Sequence, residues 1–506
     1  LEPYPLDMAI ISESTRIDWN KEVDHITQNL TDKVIEDAFK LFPKEVQDET
    51  IESIKAKLKG RRANLQKISD EYFKEINKYA IIKGTDKDDW FKIKRQANTT
   101  LVSVYRIKDG EKKNLFHQRE YSAKETKEIW MYGLDDNDVF EVSGDGSNLI
   151  KLRLIGGQNN DIYDIQNGRE VTIYDYRTKE NTFKTNQGKK KLNDDYETNV
   201  YNHKKPKYNS NQLMPTLGAN PDDGFKFGVA NTYTINGFER NPFTSQHIFN
   251  VQYYFATDGF EMNYKGEFAN VISDWNLVLE AQFTSPNYSV NFFGFGNETI
   301  NPNAEDGDNF DMDYNRVRLS TLKFSPALSW KGRQGAQVTF KMSYEDIDVE
   351  ETYERFINTF YQANGEESED TFIGAEATYS FRNKDNEAFP ALGMDFNLAG
   401  GYKTNIDDSN NFGYIIPSLA FDYKLVPNGN LVLATKMKGH VTFGDDYEFY
   451  QAASLGASDG LRGFRNQRFT GKNAFYQATD LRLNFKKLKT GVLPINIGIY
   501  AGFDYG

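Results

Sequence analysis

The sequence predicts a mainly-β protein: a transmembrane antiparallel β-barrel over residues 224–506, preceded by a helical stem and a small all-β domain. Three observations lead there. Segments of roughly 10–14 residues alternate apolar and polar side chains, recur about thirteen times, and confine their charges to one parity, the pattern of a wall with lipid on one side and a polar lumen on the other. Short and long connections alternate between many of them. Composition agrees, with Phe 37 and Tyr 30 against a mean hydropathy of -0.69. A large soluble secreted β-protein has the same composition and is the competing reading.

The elements follow in chain order. The start, LEPYPLDMAI, lacks a basic segment followed by an apolar core, so no signal peptide is visible and the chain is expected to begin inside a longer precursor. Residues 1–83 read as a helical stem or linker. Ile26, Leu30, Val34, Ala38 and Leu41 recur at helical spacing, and Pro43 interrupts them because its ring lacks an N–H. A second segment carries Val46, Ile51, Ile54 and Leu58, and a third Leu65, Ile68, Tyr72, Ile76 and Tyr79, so two or three amphipathic helices are expected.

Over 84–182 the period becomes two. The runs LVSVYRI (101–107), KEIWMYG (127–133), NDVFEV (137–142), IKLRLIG (150–156) and VTIYDY (171–176) are separated by Gly, Asp and Asn clusters, which reads as a small all-β domain. Within it GGQNND (156–161) resembles a calcium-binding turn and makes Asp138, Asp161 and Asp164 candidate Ca2+ ligands. Such a turn needs several oxygens, normally from stacked repeats. One imperfect copy is visible, with Asn where the third Gly belongs, and ordinary Asp/Asn/Gly turn chemistry is the preferred reading. Residues 183–223, rich in Lys, Asn and Asp, read as a polar linker.

From 224 the barrel pattern begins. Phe225, Phe227, Val229, Tyr233 and Ile235 alternate with Lys226, Gly228, Ala230, Thr232 and Thr234. Later runs repeat it, as where Val338, Phe340, Met342 and Tyr344 interleave with Gln337, Thr339, Lys341 and Ser343. The connections at 257–259, 285–287, 331–335 and 427–430 are short and those at 236–246, 297–313, 346–370 and 445–473 mostly long. Tight turns at one end and long loops at the other suit an outer-membrane barrel. If the stem enters from the periplasm, the loop at 445–473 is external. It holds the most distinctive stretch, GASDGLRGF (456–464), with Leu461, Arg462, Gly463 and Phe464 at its centre.

Some classes are excluded. A net charge of -13 leaves no basic stripe for nucleic acid. With Cys 0 there is neither a disulfide framework nor thiolate chemistry. No apolar run approaches the roughly 18 residues of a transmembrane helix. Histidines occur singly, at His25, His117, His203, His247 and His440, so no clustered hydrolase metal site is visible and no enzyme is expected within this chain.

Four places in 220–506 resemble the bacterial surface antigen superfamily, the sixteen-stranded outer-membrane barrels of the BamA, TamA and FhaC type. They are PDDGFKFG (221–228) entering the first strand, FFGFGNET (292–299) ending the fifth, FPALG (389–393) before the ninth, and GASDGLRGF between the eleventh and twelfth. The resemblance implies a loop that re-enters the lumen with its Arg paired to acidic residues of the following strands. In NAFYQATDLRLNF (473–485) and INIGIYAGFDYG (495–506), alternation puts Asp480 and Asp504 on the lumen side, as candidate partners of Arg462. It also implies about three further strands beyond the thirteen present. It implies outer-membrane lipid and lipopolysaccharide as surroundings, and translocation or assembly of a polypeptide or lipid-linked substrate. The stem resembles more loosely the region joining a calcineurin-like metallophosphoesterase to a barrel in one branch, where the barrel would anchor a periplasmic enzyme lying outside this chain.

Overall fold

The computed structural model describes residues 4–506 apart from 12, 221, 223, 300–310, 312, 333, 352, 366–367, 409, 486–487 and 490–493. Pro221 and Asp223, and most of the stretch 297–313, therefore lie outside the described residues. The chain divides into two compact units, Leu1–Tyr208 and Asn209–Gly506.

The first unit opens with five α-helices, Tyr4–Ile11, Arg16–Asn29, Asp32–Phe39, Glu49–Ala63 and Leu65–Asn77, more than the two or three expected. The extra breaks come from caps that periodicity does not register. Thr15 closes a capping box with Asp18, and the Thr31 hydroxyl accepts from the Val34 N–H. Among the described residues no helix is long and apolar enough to cross a membrane.

The β-region that follows is a stack of parallel coils, which the alternation did not reveal. One sheet carries Tyr79–Lys83, Glu128–Leu134, Lys151–Gly157, Val171–Asp175 and Lys189–Leu192, all parallel. The facing sheet carries Asp89–Arg95, Val139–Gly144, Asp161–Ile165 and Asn181–Asn186 in parallel, flanked by the antiparallel Thr99–Lys108 and Glu111–Ser122. After Glu128 the chain alternates between the sheets, so each pair of strands is one coil. Ile82, Ile129, Leu152 and Ile173 from one sheet meet Ile93, Val104, Val142 and Ile165 from the other in a dry core. Phe91, Phe140, Tyr163 and Phe183 occupy equivalent positions and stack face to face at 4.7, 5.3 and 5.3 Å.

The described residues of 183–223, expected as a linker, carry strands and a short helix. They complete the last coil, form the short helix Tyr196–Asn199, and supply a strand of the large antiparallel sheet at Ser210–Asn220. The backbone pairing of that strand along Gly224–Ile235 fixes it, although its own alternation is weak.

The second unit is a large antiparallel sheet of fourteen strands. Thirteen follow one another along its path, from Ser210–Asn220 to Gly498–Tyr505, and a short fourteenth, Ser289–Asn291, pairs to one side. Since Ser210–Asn220 is the first, Gly224–Ile235 is the second, and the described part of 221–228 enters the second strand and not the first. Among the described residues the sheet is open, each outer strand being paired on one side. The long connections at 285–315, 350–368 and 444–472 share one end. The connection at 236–244 belongs to the opposite end, and the short turn at 255–258 to the long-loop end, so the alternation of lengths is looser than expected. Phe340, Met342 and Tyr344 are exposed on one face, while Lys341 and Glu345 on the other pair with Glu376 and with Lys323 and Lys403. At the long-loop end the helix Phe356–Asn364 packs with Phe292, Ile347 and Phe449 into an aromatic cap, Phe292 stacking on Phe449 at 4.6 Å.

Candidate functional site

The stretch 456–464 lies in the connection between the eleventh strand, Leu431–Phe443, and the twelfth, Asn473–Asn484. It is folded on itself: the Leu461 N–H donates to the Gly456 carbonyl at 2.9 Å, the Phe464 N–H to the Leu461 carbonyl at 3.1 Å, and the Ala457 N–H to the Arg465 carbonyl at 3.2 Å. Two contacts seat it on the polar face of the sheet. Lys438 reaches both carboxylate oxygens of Asp459 at 3.0 Å. Gly460, at φ +98, lies against the buried Tyr476 ring, which a Cβ there would approach to 2.2 Å.

That seating aims Arg462 along the last two strands. Its Nε donates to Asp504 Oδ2 at 2.8 Å and its Nη1 to Asp480 Oδ1 at 2.9 Å. Its Nη2 bonds Asp504 Oδ1, and its backbone N–H donates to Asp504 Oδ2 at 3.1 Å. One planar fork therefore grips Asp504 through two nitrogens and still reaches Asp480 with the third. The strand register makes the room. Asp480 faces Gly502 and Asp504 faces Ala478, so each carboxylate stands opposite a small residue. A Cβ on Gly502 would come to 2.4 Å from Asp480 Oδ1 and 2.5 Å from Arg462 Nη2. Arg482 ties the cluster sideways, to Asp480 and to Asp422 at 3.3 Å each. A cavity of about 340 Å³ opens beside it, lined by Lys384, Asp422, Lys436, Tyr476, Asp480 and Arg482.

The other motif residues differ in role. Leu461 is buried, and Phe464 is half exposed with its ring edge-on to Phe469 at 5.1 Å. Around Gly463 there is open space, so packing gives no reason for glycine there.

Sequence reasoning missed the continuation of the loop. Arg465 Nε donates to Asp222 Oδ1 at 2.6 Å, and the Asn466 N–H to Asp222 Oδ2 at 3.2 Å. Asp222 lies in the turn after the first strand and is buried. Asn291 joins Gln467 and Asn466 at 3.0 Å each, and Arg468 binds the Thr299 hydroxyl at 3.0 Å and its carbonyl at 2.6 Å. One loop thus bridges the first turn, the connection after the fifth strand, and the last two strands. The run Arg462, Arg465, Arg468 at intervals of three was the available signal.

The calcium candidates separate. Asp138 and Asp161 stack in the first unit on adjacent coils, together with Asp89, while Asp164 lies further along the strand Asp161–Ile165 and is only partly buried. Among the described residues no three carboxylates converge as a metal site would require. The reason is geometric: Asp138 Oδ1 accepts the Asp89 N–H and Asp161 Oδ1 the Asp138 N–H, both at 2.8 Å, which spreads the carboxyls along a line.

No family model and no curated protein matches the sequence. Solved structures similar to this chain include BamA from Haemophilus ducreyi lacking POTRA domains 1–3, at 14% identity and TM-score 0.42, covering 59% of this chain and 58% of that one. CdiB from Acinetobacter baumannii is similar at 12% identity and TM-score 0.35, covering 59% of this chain and 50% of that one. A bacterial polysaccharide outer membrane secretin is similar at 9% identity and TM-score 0.24, covering 58% of this chain and 96% of that one. The chain thus spans 58% of the length of the BamA chain and 50% of that of the CdiB chain.

Proposed function

We propose that this chain is an outer-membrane β-barrel protein that translocates or assembles a polypeptide or lipid-linked substrate, and that the Arg462 loop fixes the state of the barrel from within the lumen. The apolar parity, with Phe340, Met342 and Phe443 exposed, faces lipid, including lipopolysaccharide in the outer leaflet. The end bearing the connections 285–315, 350–368 and 444–472 faces outward, and residues before 209 occupy the periplasm. The observation that carries this reading is the fork of Arg462 on Asp480 and Asp504. A long loop tucked onto the polar face of a membrane wall, held by a cation spread over two adjacent strands, sets how those strands lie and what passes beside them.

The test is transport or membrane-protein assembly in cells carrying Arg462→Ala, alongside a heat-modifiable gel shift that reports the inserted barrel. Loss of transport with the barrel still inserted supports the reading. Normal transport with a merely less stable barrel refutes it and favours a barrel that anchors a periplasmic domain. A protein soluble without detergent refutes the membrane assignment altogether.

A further inference from the structure

The first unit contains a line of carboxyl groups that the barrel reading does not use. Gly84 and Asp89, Gly133 and Asp138, and Gly156 and Asp161 share one spacing, Gly followed five residues later by Asp, and one place at the turn from the first sheet to the second. Asp89, Asp138 and Asp161 stack on successive coils, and Asp175 stands beside Asp161 at the next corner. All four are 0% exposed.

Asp138 and Asp161 each have one satisfied and one crowded side. Asp138 and Asp161 use Oδ1 to accept the backbone N–H of the neighbouring coil, whereas Asp138 Oδ2 has no partner and the Asp161 carboxyl meets that of Asp175, a pair that needs a proton between them. The glycines make room for these oxygens, since a Cβ would stand 2.1 Å from Asp138 Oδ2 at Gly133 and 2.3 Å from Asp161 Oδ2 at Gly156. Among the described residues these carboxyls do not converge on a metal site, which would need several oxygens around one point. The charged and titratable groups facing the line are Asp88 at its edge, Arg106, which pairs with Asp89 at 3.1 Å, and Tyr163, whose hydroxyl donates to Asp175 Oδ2 at 2.6 Å. One cation thus faces four buried acids among the described residues, and isolated buried carboxylates are too costly to stay ionised.

We propose that protons hold this stack together: Asp138 and Asp161 are neutral carboxylic acids at neutral pH, and their ionisation loosens the coils. Each ionisation releases one proton to solvent and leaves an uncompensated carboxylate in the core. Burial, reinforced by Asp161, pushes Asp138 up to about 10. Burial and the neighbouring Asp175 also push Asp161 upward. A folded-state value above the unfolded one means that stability is full below the ordinary carboxylate range and falls as pH rises towards the folded value. The device stiffens the unit in acid and softens it in base.

The test is hydrogen exchange of the full chain in detergent micelles between about pH 5 and 9, corrected for intrinsic rates, read at segments covering 86–95 and 136–144. The opening equilibrium of wild type should rise at least about tenfold per pH unit, since each proton held only by the folded state contributes a factor of ten. Asp138→Asn and Asp161→Asn keep a carbonyl acceptor without an ionisable proton, so each should lower that slope by about tenfold per pH unit. Infrared spectra of wild type at neutral pH should show a buried carboxylic-acid carbonyl band that Asp138→Asn removes. Wild-type protection that is flat or rises with pH overturns the proposal even if neither variant folds, and so does absence of the band.

Discussion

Replacing Arg462 by Ala removes a guanidinium that makes three side-chain hydrogen bonds to two carboxylates, leaving Asp504, 14% exposed, without the cation that grips it and Asp480, 17% exposed, with Arg482 at 3.3 Å. Charge-assisted bonds contribute about 1.5–3 kcal/mol each when sheltered. The Arg462 side chain is 39% exposed, so solvent screening reduces the sum, and a net loss of about 2–3 kcal/mol is expected. The measurement is denaturant titration of purified protein in micelles, scored by the folded band on an unheated gel. A double-mutant cycle isolates the pair: Arg462→Ala and Asp504→Asn, singly and together, should give a coupling energy of about 1–2 kcal/mol. Arg462→Lys keeps the charge but not the planar fork and should restore less than half of the loss. A coupling below about 0.5 kcal/mol, the level of independent residues, would refute the claim that this fork holds the loop to the sheet.

Other expectations follow from single contacts. Gly502→Ala places a methyl group 2.4 Å from Asp480 Oδ1 and 2.5 Å from Arg462 Nη2; it should destabilise the barrel like Arg462→Ala and add little in combination with it. Asp222→Asn preserves shape but loses the charge that Arg465 grips, so limited proteolysis within 444–472 should quicken while the barrel still migrates as folded. Phe140→Ala removes the ring between Phe91 and Tyr163 and should cost about 3–5 kcal/mol in the first unit, with Phe140→Leu milder, read by hydrogen exchange over 89–95 and 161–165. Gly133→Ala drives a Cβ to 2.1 Å from Asp138 Oδ2 and should abolish cooperative protection of the coils.

The strands of the large sheet were legible because successive side chains of a strand face opposite ways, so that exposed Phe340 and ion-paired Lys341 fall on opposite faces. The same rule put Asp480 and Asp504 on the polar side. Ser210–Asn220 escaped because Pro215 and the adjacent pair Leu213 and Met214 blur its alternation, and its pairing with Gly224–Ile235 is tertiary information. The parallel coils were illegible for a different reason. A period of two is identical whether a strand pairs with its neighbour in sequence or with one a coil away. The Gly-to-Asp spacing at 84–89, 133–138 and 156–161, each followed by an aromatic at the second position after Asp, was the readable sign of stacking. Asp222 had no local mark at all, since its partner Arg465 is distant in the chain and only the fold brings them together.

The loop's anchors carry a consequence for the order of assembly. Asp480 belongs to the twelfth strand, Asp504 to the thirteenth and Asp222 to the first turn, so no local segment can complete the arginine set. Arg462 finds its full complement only after the last two strands have come into register, and Arg465 only when the first turn is in place as well. Seating of the loop therefore reports on the register of strands far apart in the chain: a slipped last strand would leave Arg462 without Asp504 and the loop without that anchor.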